Sequence, residues 1–276
     1  MISAELPALL ELARSAVRHA TRHLRTHAAG QIMIKGDRDM VTDLDFAIER
    51  RTRDFLRQRS PAIGFLGEEE GGDPGTGLRW ILDPVDGTAN FIRGLPLFGI
   101  SLALTDGDQA LLGVISLPPL GRVYWAATGL GAWRDGQPIT PSSVSRLPEA
   151  MIAIGDYGTG DDAAERNQVA RALHTALAPI AGKVRMLGSA AVDLALVADG
   201  TLDASLTLGN QSWDMAAGTV IARSAGAAVT DTDGSPHSMN SLTTIATAPH
   251  LTGPILAILR TATSGTRYSP DRKSPC

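Results

Sequence analysis

Residues 80 to 96 read WILDPVDGTANFIRGLP, and this stretch decides how the rest of the chain is read. An apolar strand, Trp80-Ile81-Leu82, delivers Asp83 at its end; Pro84 stiffens the turn, and Asp86 follows with Gly87 and Thr88. Two carboxylates three residues apart on a rigid turn can converge on one small volume. They repel each other unless a cation or a proton compensates. Oxygen ligands without Cys or His select Mg²⁺, Mn²⁺ or Ca²⁺ rather than zinc, with Mg²⁺ favoured. Taken alone, DPVDG also fits a plain surface turn. Two neighbours favour a metal and a phosphate: the acidic cluster GEEEGG at 67 to 72 ends another apolar strand, and Thr88-Ala89-Asn90-Phe91 opens a short helix whose backbone N–H groups can hold an anion.

Outward from this stretch, residues 3 to 28 place Leu6, Leu9, Leu10, Ala13, Val17, Ala20 and Leu24 at the spacings of an amphipathic helix. A second helix is predicted from Asp43, as N-cap, to about Arg59, and QIMIKGDRDMVT between the two reads as a mobile loop. Five strands follow from Ile63 to Ala127, and Asp135-Gly136 marks a hairpin. After PSSVSRLPEA the rhythm becomes strand, helix, strand, helix, with a helix beginning at Asp214 in SWDMAAG. Asp214 reads locally as a helix N-cap and can serve as a ligand as well. The expected organisation is two lobes, an α+β lobe over residues 1–145 and an α/β lobe over 146–263, then a disordered polar tail over 264–276.

Composition narrows the function. Across 276 residues, 25 Lys plus Arg face 29 Asp plus Glu, a net charge of −4, so no basic excess exists to hold nucleic acid. Hydrophobic residues at 43% against 20% charged supply a globular core. The one cysteine, Cys276, excludes an intrachain disulfide and a Cys-based metal site and fits a reducing compartment. The expectation is a cytoplasmic protein with no membrane span, since no apolar run approaches the ~18 residues a spanning helix needs and the first residues do not read as a secretion signal.

Together, GEE at 67 to 69, DPVDGTANFIRGLP at 83 to 96 and WDMAAG at 213 to 218 resemble the inositol monophosphatase family of Mg²⁺-dependent, lithium-sensitive sugar phosphatases. VTDLD at 41 to 45 and GSAAVDLALVADGTLDA at 188 to 204 add weaker support, and the resemblance runs from about residue 5 to 262. It implies an αβαβα layered sandwich and a homodimer. It also implies roles. Glu68, Asp83 and the Val85 carbonyl would hold a first metal; Asp83, Asp86 and Asp214 a second; Glu68 would help a third. Thr88 paired with Asp45 would orient the attacking water, the N–H groups of Gly87 and Thr88 would grip the phosphate, and Lys35 would lie on a flap over the metals. Asp86, Asp214 and the segment Gly188-Ser189-Ala190 would meet the substrate.

One position departs. The family's inositol phosphatases carry an acid seven residues before the WD aspartate, where this chain has Thr207, and histidinol-phosphate phosphatases also carry one near there. A hydroxyl can still bond a polyol, at the loss of about 1 kcal/mol of charge assistance. The expected activity is hydrolysis of a small polyol or sugar monophosphate, inositol 1-phosphate first, with two or three Mg²⁺ ions. Histidinol phosphate, fructose 1,6-bisphosphate and 3′-phosphoadenosine 5′-phosphate are the rival substrates. A degenerate relative that binds without catalysing is the rival class.

Overall fold

The computed structural model describes residues 2–37, 39–72, 77–160, 163–209 and 211–269. The apolar stripe near the start forms helix α1 (Ile2–Thr26), and helix α2 (Asp43–Arg59) follows. Between them lies a β-hairpin, β1 (Ile32–Gly36) against β2 (Asp39–Thr42), where a loop was expected; the β-branched Ile32, Ile34, Val41 and Thr42 favour a strand over open coil. Arg38 lies outside the described residues. Thr42 rather than Asp43 caps α2, in a reciprocal capping box with Asp45.

The first large sheet contains β3 (Gly64–Gly67), β4 (Gly71–Gly72), β5 (Leu78–Asp86), β6 (Gly99–Asp106), β7 (Gln109–Leu117), β8 (Arg122–Ala127), β9 (Gly131–Arg134) and β10 (Gln137–Pro138), in the order β10-β9-β8-β7-β6-β5-β3-β4. Its pairs are antiparallel except β3 with β5. The Asp135-Gly136 hairpin forms as expected, both residues having positive φ. A short helix α3 (Thr88–Arg93) leaves β5.

The second sheet contains β11 (Met151–Ile154), β12 (Lys183–Arg185), β13 (Ala204–Leu208), β14 (Ala228–Thr230) and β15 (Thr243–Thr247), in the order β12-β11-β13-β15-β14. Helices α4 (Ala163–Leu177), α5 (Ala190–Ala198), α6 (Ser212–Ala225) and α7 (Thr252–Ala262) accompany it.

Three apolar cores define the layers. On β6, Ile100, Leu102 and Leu104 face the core under α1 and α2, while Ala103 faces α5 and α6. On β11, Ile152 and Ile154 face α4 and α7, while Ala153 faces α5 and α6. The period of two gives each strand two buried faces. The stack is therefore helices, sheet, helices, sheet, helices: an αβαβα sandwich. Its middle layer, α5 and α6, comes from the second half of the chain yet covers both sheets.

The tail expectation needs correction for its first residues. Thr266 and Tyr268 are buried, the Thr232 hydroxyl donates to the Tyr268 carbonyl at 2.8 Å, and the Arg267 N–H donates to Glu165 at 2.7 Å. Tyr268 supplies the aromatic anchor that its polar neighbours conceal. Residues 270–276, with Cys276, lie outside the described residues. Among the described residues no helix is long and apolar enough to cross a membrane.

Candidate active site

Parallel pairing of β3 with β5 lays the foundation. Gly67 stands opposite Leu82, so the next residues, Glu68 and Asp83, leave the sheet side by side, and the Glu68 N–H donates to the Leu82 carbonyl at 3.2 Å. Asp83 is not the end of its strand, as the sequence suggested. β5 continues to Asp86 through a bulge at Pro84 and Val85, where register with β6 shifts. A bulge bends a strand and re-aims its side chains, which brings Asp86 toward Asp83 without a turn. The Val85 N–H donates to Asp83 Oδ1 at 3.0 Å.

Asp214 arrives from the second half of the chain. Helix α6 begins at Ser212 with Gln211 as N-cap, so Asp214 lies inside the first turn rather than at the cap. It reaches the site because α6 lies very close to the first sheet: a Cβ on Gly113 of β7 would come within 2.6 Å of the Ala217 backbone. Burial pushes Asp83 and Asp214 well above the usual carboxylate range, the charges of Glu68 and Asp86 push both further, and Asp214 adds to the rise of Asp83. Burial also raises Asp86, to about 6, against the opposing pull of the Ala191 N–H and the Ser189 hydroxyl.

Lys35, on β1, donates to Glu68 Oε1 at 3.0 Å and to both oxygens of Glu69 at 2.9 Å. Partial burial pulls the Lys35 ammonium down, but Glu68 and Glu69 outweigh it and raise its pKa. The hairpin thus carries Lys35 to the carboxylates of Glu68 and Glu69. Glu69 itself is raised to about 7, first by burial, with Lys35 opposing.

Thr88 and Asp45 also meet. The Thr88 hydroxyl donates to the Val85 carbonyl at 2.9 Å and lies 3.4 Å from Asp45 Oδ1. Oδ2 of Asp45 accepts from the Thr42 N–H at 3.1 Å and from the Thr42 hydroxyl. Burial raises Asp45, against those two bonds.

The two halves join at Asp86. Its Oδ2 accepts from the Ser189 hydroxyl at 2.8 Å and from the Ala191 N–H, so a carboxylate from the first sheet lies at the N-terminus of α5. Gly87 has φ +90° and Gly188 φ +75°, and a Cβ on Gly87 would meet the Gly188 carbonyl at 3.2 Å; glycine permits this close approach. A cleft of about 160 Å³ opens beside them, lined by Asp86, Ser189, Ala190, Thr207 and Asp214 together with Asp156 and Asp193.

Four participants went unassigned in the sequence. Glu49, fully buried on α2, accepts the Glu69 N–H at 2.8 Å and the Glu70 N–H at 3.0 Å, and Arg53 holds it at 2.6 Å. Its signal was its place four residues after Asp45, on the same helix face. Glu69 was visible inside GEEEGG. Asp156 follows an apolar strand much as Asp83 does, and Asp193 lies one helical turn after Ser189. By contrast, His19, His23 and His27 line a groove between α1 and α2 with Phe55 and Arg51, away from the carboxylates.

Among the described residues, no three acidic, histidine or cysteine side chains form a ready-made metal cage. Other partners hold the acids: Lys35 on Glu68, Ser189 and Ala191 on Asp86, Val85 on Asp83. The donor set nevertheless fits a hard divalent cation. Asp83 and Asp86, both buried, and half-buried Asp214 lie within one another's field, all are oxygen ligands, and a cation is what their raised pKa values call for.

Comparison with known proteins identifies the family. The inositol monophosphatase family model matches residues 5–264. The inositol-1-monophosphatase ImpA of Mycolicibacterium smegmatis is 34% identical over 235 residues, covering 85% of each chain. A fructose-1,6-bisphosphatase/inositol-1-monophosphatase of Aquifex aeolicus is 33% identical over 197 residues, 71% of this chain and 74% of that one. The solved IMPase of Thermotoga maritima superposes with a TM-score of 0.85 at 29% identity, over 93% of this chain and 98% of its own. Family members are phosphoric monoester hydrolases, generally dependent on Mg²⁺ and sensitive to lithium. With the family model matched over most of its length and a layered fold shared with solved relatives, the chain belongs to the inositol monophosphatase family.

Proposed function

We propose that the protein hydrolyses a small polyol or sugar monophosphate, inositol 1-phosphate first among candidates, to the free alcohol and phosphate. One observation carries this reading: buried Asp83 and Asp86 and half-buried Glu68 and Asp214 gather from three separate segments within one another's field, beside Thr88 and Asp45. Holding mutually repelling carboxylates together is unfavourable unless a cation uses them.

Glu68, Asp83 and the Val85 carbonyl would hold one Mg²⁺, and Asp83, Asp86 and Asp214 a second, with Glu68 available to a third; Mn²⁺ has the same ligand preference. Bound divalent ions supply positive charge for the phosphoryl oxygens and the leaving alkoxide, and acidity for water. The chain's own residues do the rest. Thr88, with Asp45 behind it, orients the attacking water, since a threonine hydroxyl does not itself ionise near neutral pH. The N–H groups of Gly87 and Thr88 open α3 and point at the phosphate position, while Gly188, Ser189 and Ala190 shape the leaving-group side. Lys35 balances Glu68 and Glu69 from the hairpin.

The inherited expectations of a homodimer and a cytoplasmic location belong to the same reading; sedimentation and cell fractionation test them. Phosphate release with Mg²⁺, with and without lithium, across inositol 1-phosphate, histidinol phosphate, fructose 1,6-bisphosphate and 3′-phosphoadenosine 5′-phosphate tests the activity. Lithium-inhibited turnover of a monophosphate is the expected result. Metal binding without turnover of any compound would favour the binding-protein alternative.

A further inference from the structure

Resting on that reading, the structure points to the residue that reads the alcohol half of the substrate. Thr207 stands on β13 where an acid was expected. β11 runs parallel beside it, Ile154 opposite Leu206, and the Gly155 N–H donates to the Leu206 carbonyl at 3.0 Å. Gly155 therefore lies against Thr207; a Cβ there would come within 3.2 Å of the Thr207 methyl. The next residue, Asp156, is exposed at the mouth of the cleft, with no hydrogen bond or ion pair to any described residue. Across the cleft mouth, the position a Gly188 Cβ would take lies 3.4 Å from Asp156 Oδ2.

Behind Asp156 is a second unanswered acceptor. Asp193 lines the same cleft, is 2% exposed, and its Oδ1 forms no hydrogen bond, the neighbouring buried Ser205 hydroxyl being likewise without a bonded partner. A buried acceptor without a donor is unfavourable until something in the cleft supplies one. Among the described residues, no lysine or arginine lines the cleft. The arginine nearest the cleft, Arg166, is turned to backbone, donating to the carbonyls of Gly209 at 3.4 Å and Thr159 at 3.3 Å; Arg223 donates to the carbonyls of Val229 and His237, and Lys183 and Arg185 are exposed on β12.

We propose that Asp156, with Asp193 behind it, takes the place of the acid absent at position 207 and accepts hydroxyl groups of the substrate's alcohol. The acid has moved one strand across and one residue along, from β13 to the end of β11. The same pair disfavours a second phosphate, because an anion meeting two carboxylates and no base is repelled. The substrate class is accordingly a hydroxyl-bearing monophosphate rather than a bisphosphate. Asp156 determines specificity and leaves the chemistry at phosphorus to other residues.

Three substrates separate the possibilities: inositol 1-phosphate, rich in hydroxyls; p-nitrophenyl phosphate, which has none on its leaving group; and fructose 1,6-bisphosphate. Asp156→Ala is expected to lower the ratio of kcat/KM for inositol 1-phosphate over p-nitrophenyl phosphate about ten-fold or more, chiefly through KM, as loss of a charge-assisted hydrogen bond predicts. Asp156→Asn, which keeps the volume and one acceptor oxygen, is expected to fall between Ala and wild type. An unchanged ratio in both variants, or a wild-type preference for the bisphosphate, would overturn the role of Asp156. Wild-type protein that releases phosphate from none of the three with Mg²⁺ would instead overturn the phosphatase reading on which it rests.

Discussion

The carboxylate of Glu49 receives the backbone N–H of Glu69 at 2.8 Å, so helix α2 grips the turn that presents Glu68 and Glu69. Glu70 donates its N–H to the same group at 3.0 Å, and Arg53, one helical turn on, ties Glu49 to the Gly71 carbonyl. Gly67 is glycine for the same reason, since a Cβ there would overlap the Glu49 carboxylate. One helix therefore sets both Asp45 and the acidic turn.

Glu49→Gln would put an amide NH₂ against one of those N–H donors. It should loosen the turn and weaken Mg²⁺ binding about ten- to a hundred-fold, the range found when residues that orient metal ligands are altered. Glu49→Asp, which keeps the charge on a shorter arm, should recover part of that loss. Calorimetric Mg²⁺ titration measures both; wild-type affinity in Glu49→Gln would show that the turn holds itself.

The placement of Asp214 depends on the close approach of α6 to β7. Gly113→Ala should push against the Ala217 backbone and destabilise the fold by about 1 to 3 kcal/mol, as overpacking does. Because α6 carries Asp214, catalytic efficiency should fall at temperatures where the variant is still folded. Urea unfolding and kcat/KM measured together check this, and full activity with full stability would contradict it.

His237 is a buried histidine pulled down to about 4, first by burial and then by Arg223, whose guanidinium holds the His237 carbonyl. Its Nε2 lies 2.8 Å from the Thr244 hydroxyl. Since the folded pKa lies below the unfolded value near 6.5, its neutral form stabilises the fold above pH 6.5. That contribution shrinks as pH falls toward 4, by roughly 3 kcal/mol over the window. The stability gap between wild type and His237→Gln should therefore narrow between pH 7 and pH 4.5 in denaturant titrations. A gap that does not change with pH would mean the ring keeps an ordinary pKa.

What the sequence made legible follows from range. The strand Trp80-Ile81-Leu82, the helix ending at Arg59 and the Asp135-Gly136 hairpin are local patterns, and each appears as expected. Asp83, Asp86 and Glu68 were found because carboxylates beside apolar strands and turn residues are unusual enough to notice. Glu49 escaped because its role exists only once α2 lies over a turn twenty residues away. Asp156 and Asp193 escaped because lack of a partner is a property of packing, which no local pattern encodes. The hairpin at Lys35 and the anchor at Tyr268 were hidden by polar neighbours.

The central claim is that these carboxylates exist to hold a metal that hydrolyses a phosphate ester, and Asp83 is the ligand shared by both proposed ions. The most direct test measures Mg²⁺-dependent phosphate release from inositol 1-phosphate by wild type and Asp83→Asn, with circular dichroism of both. The account predicts Mg²⁺-dependent release by wild type, and an Asp83→Asn variant that folds, binds Mg²⁺ weakly and releases almost no phosphate. Full turnover by Asp83→Asn would contradict it.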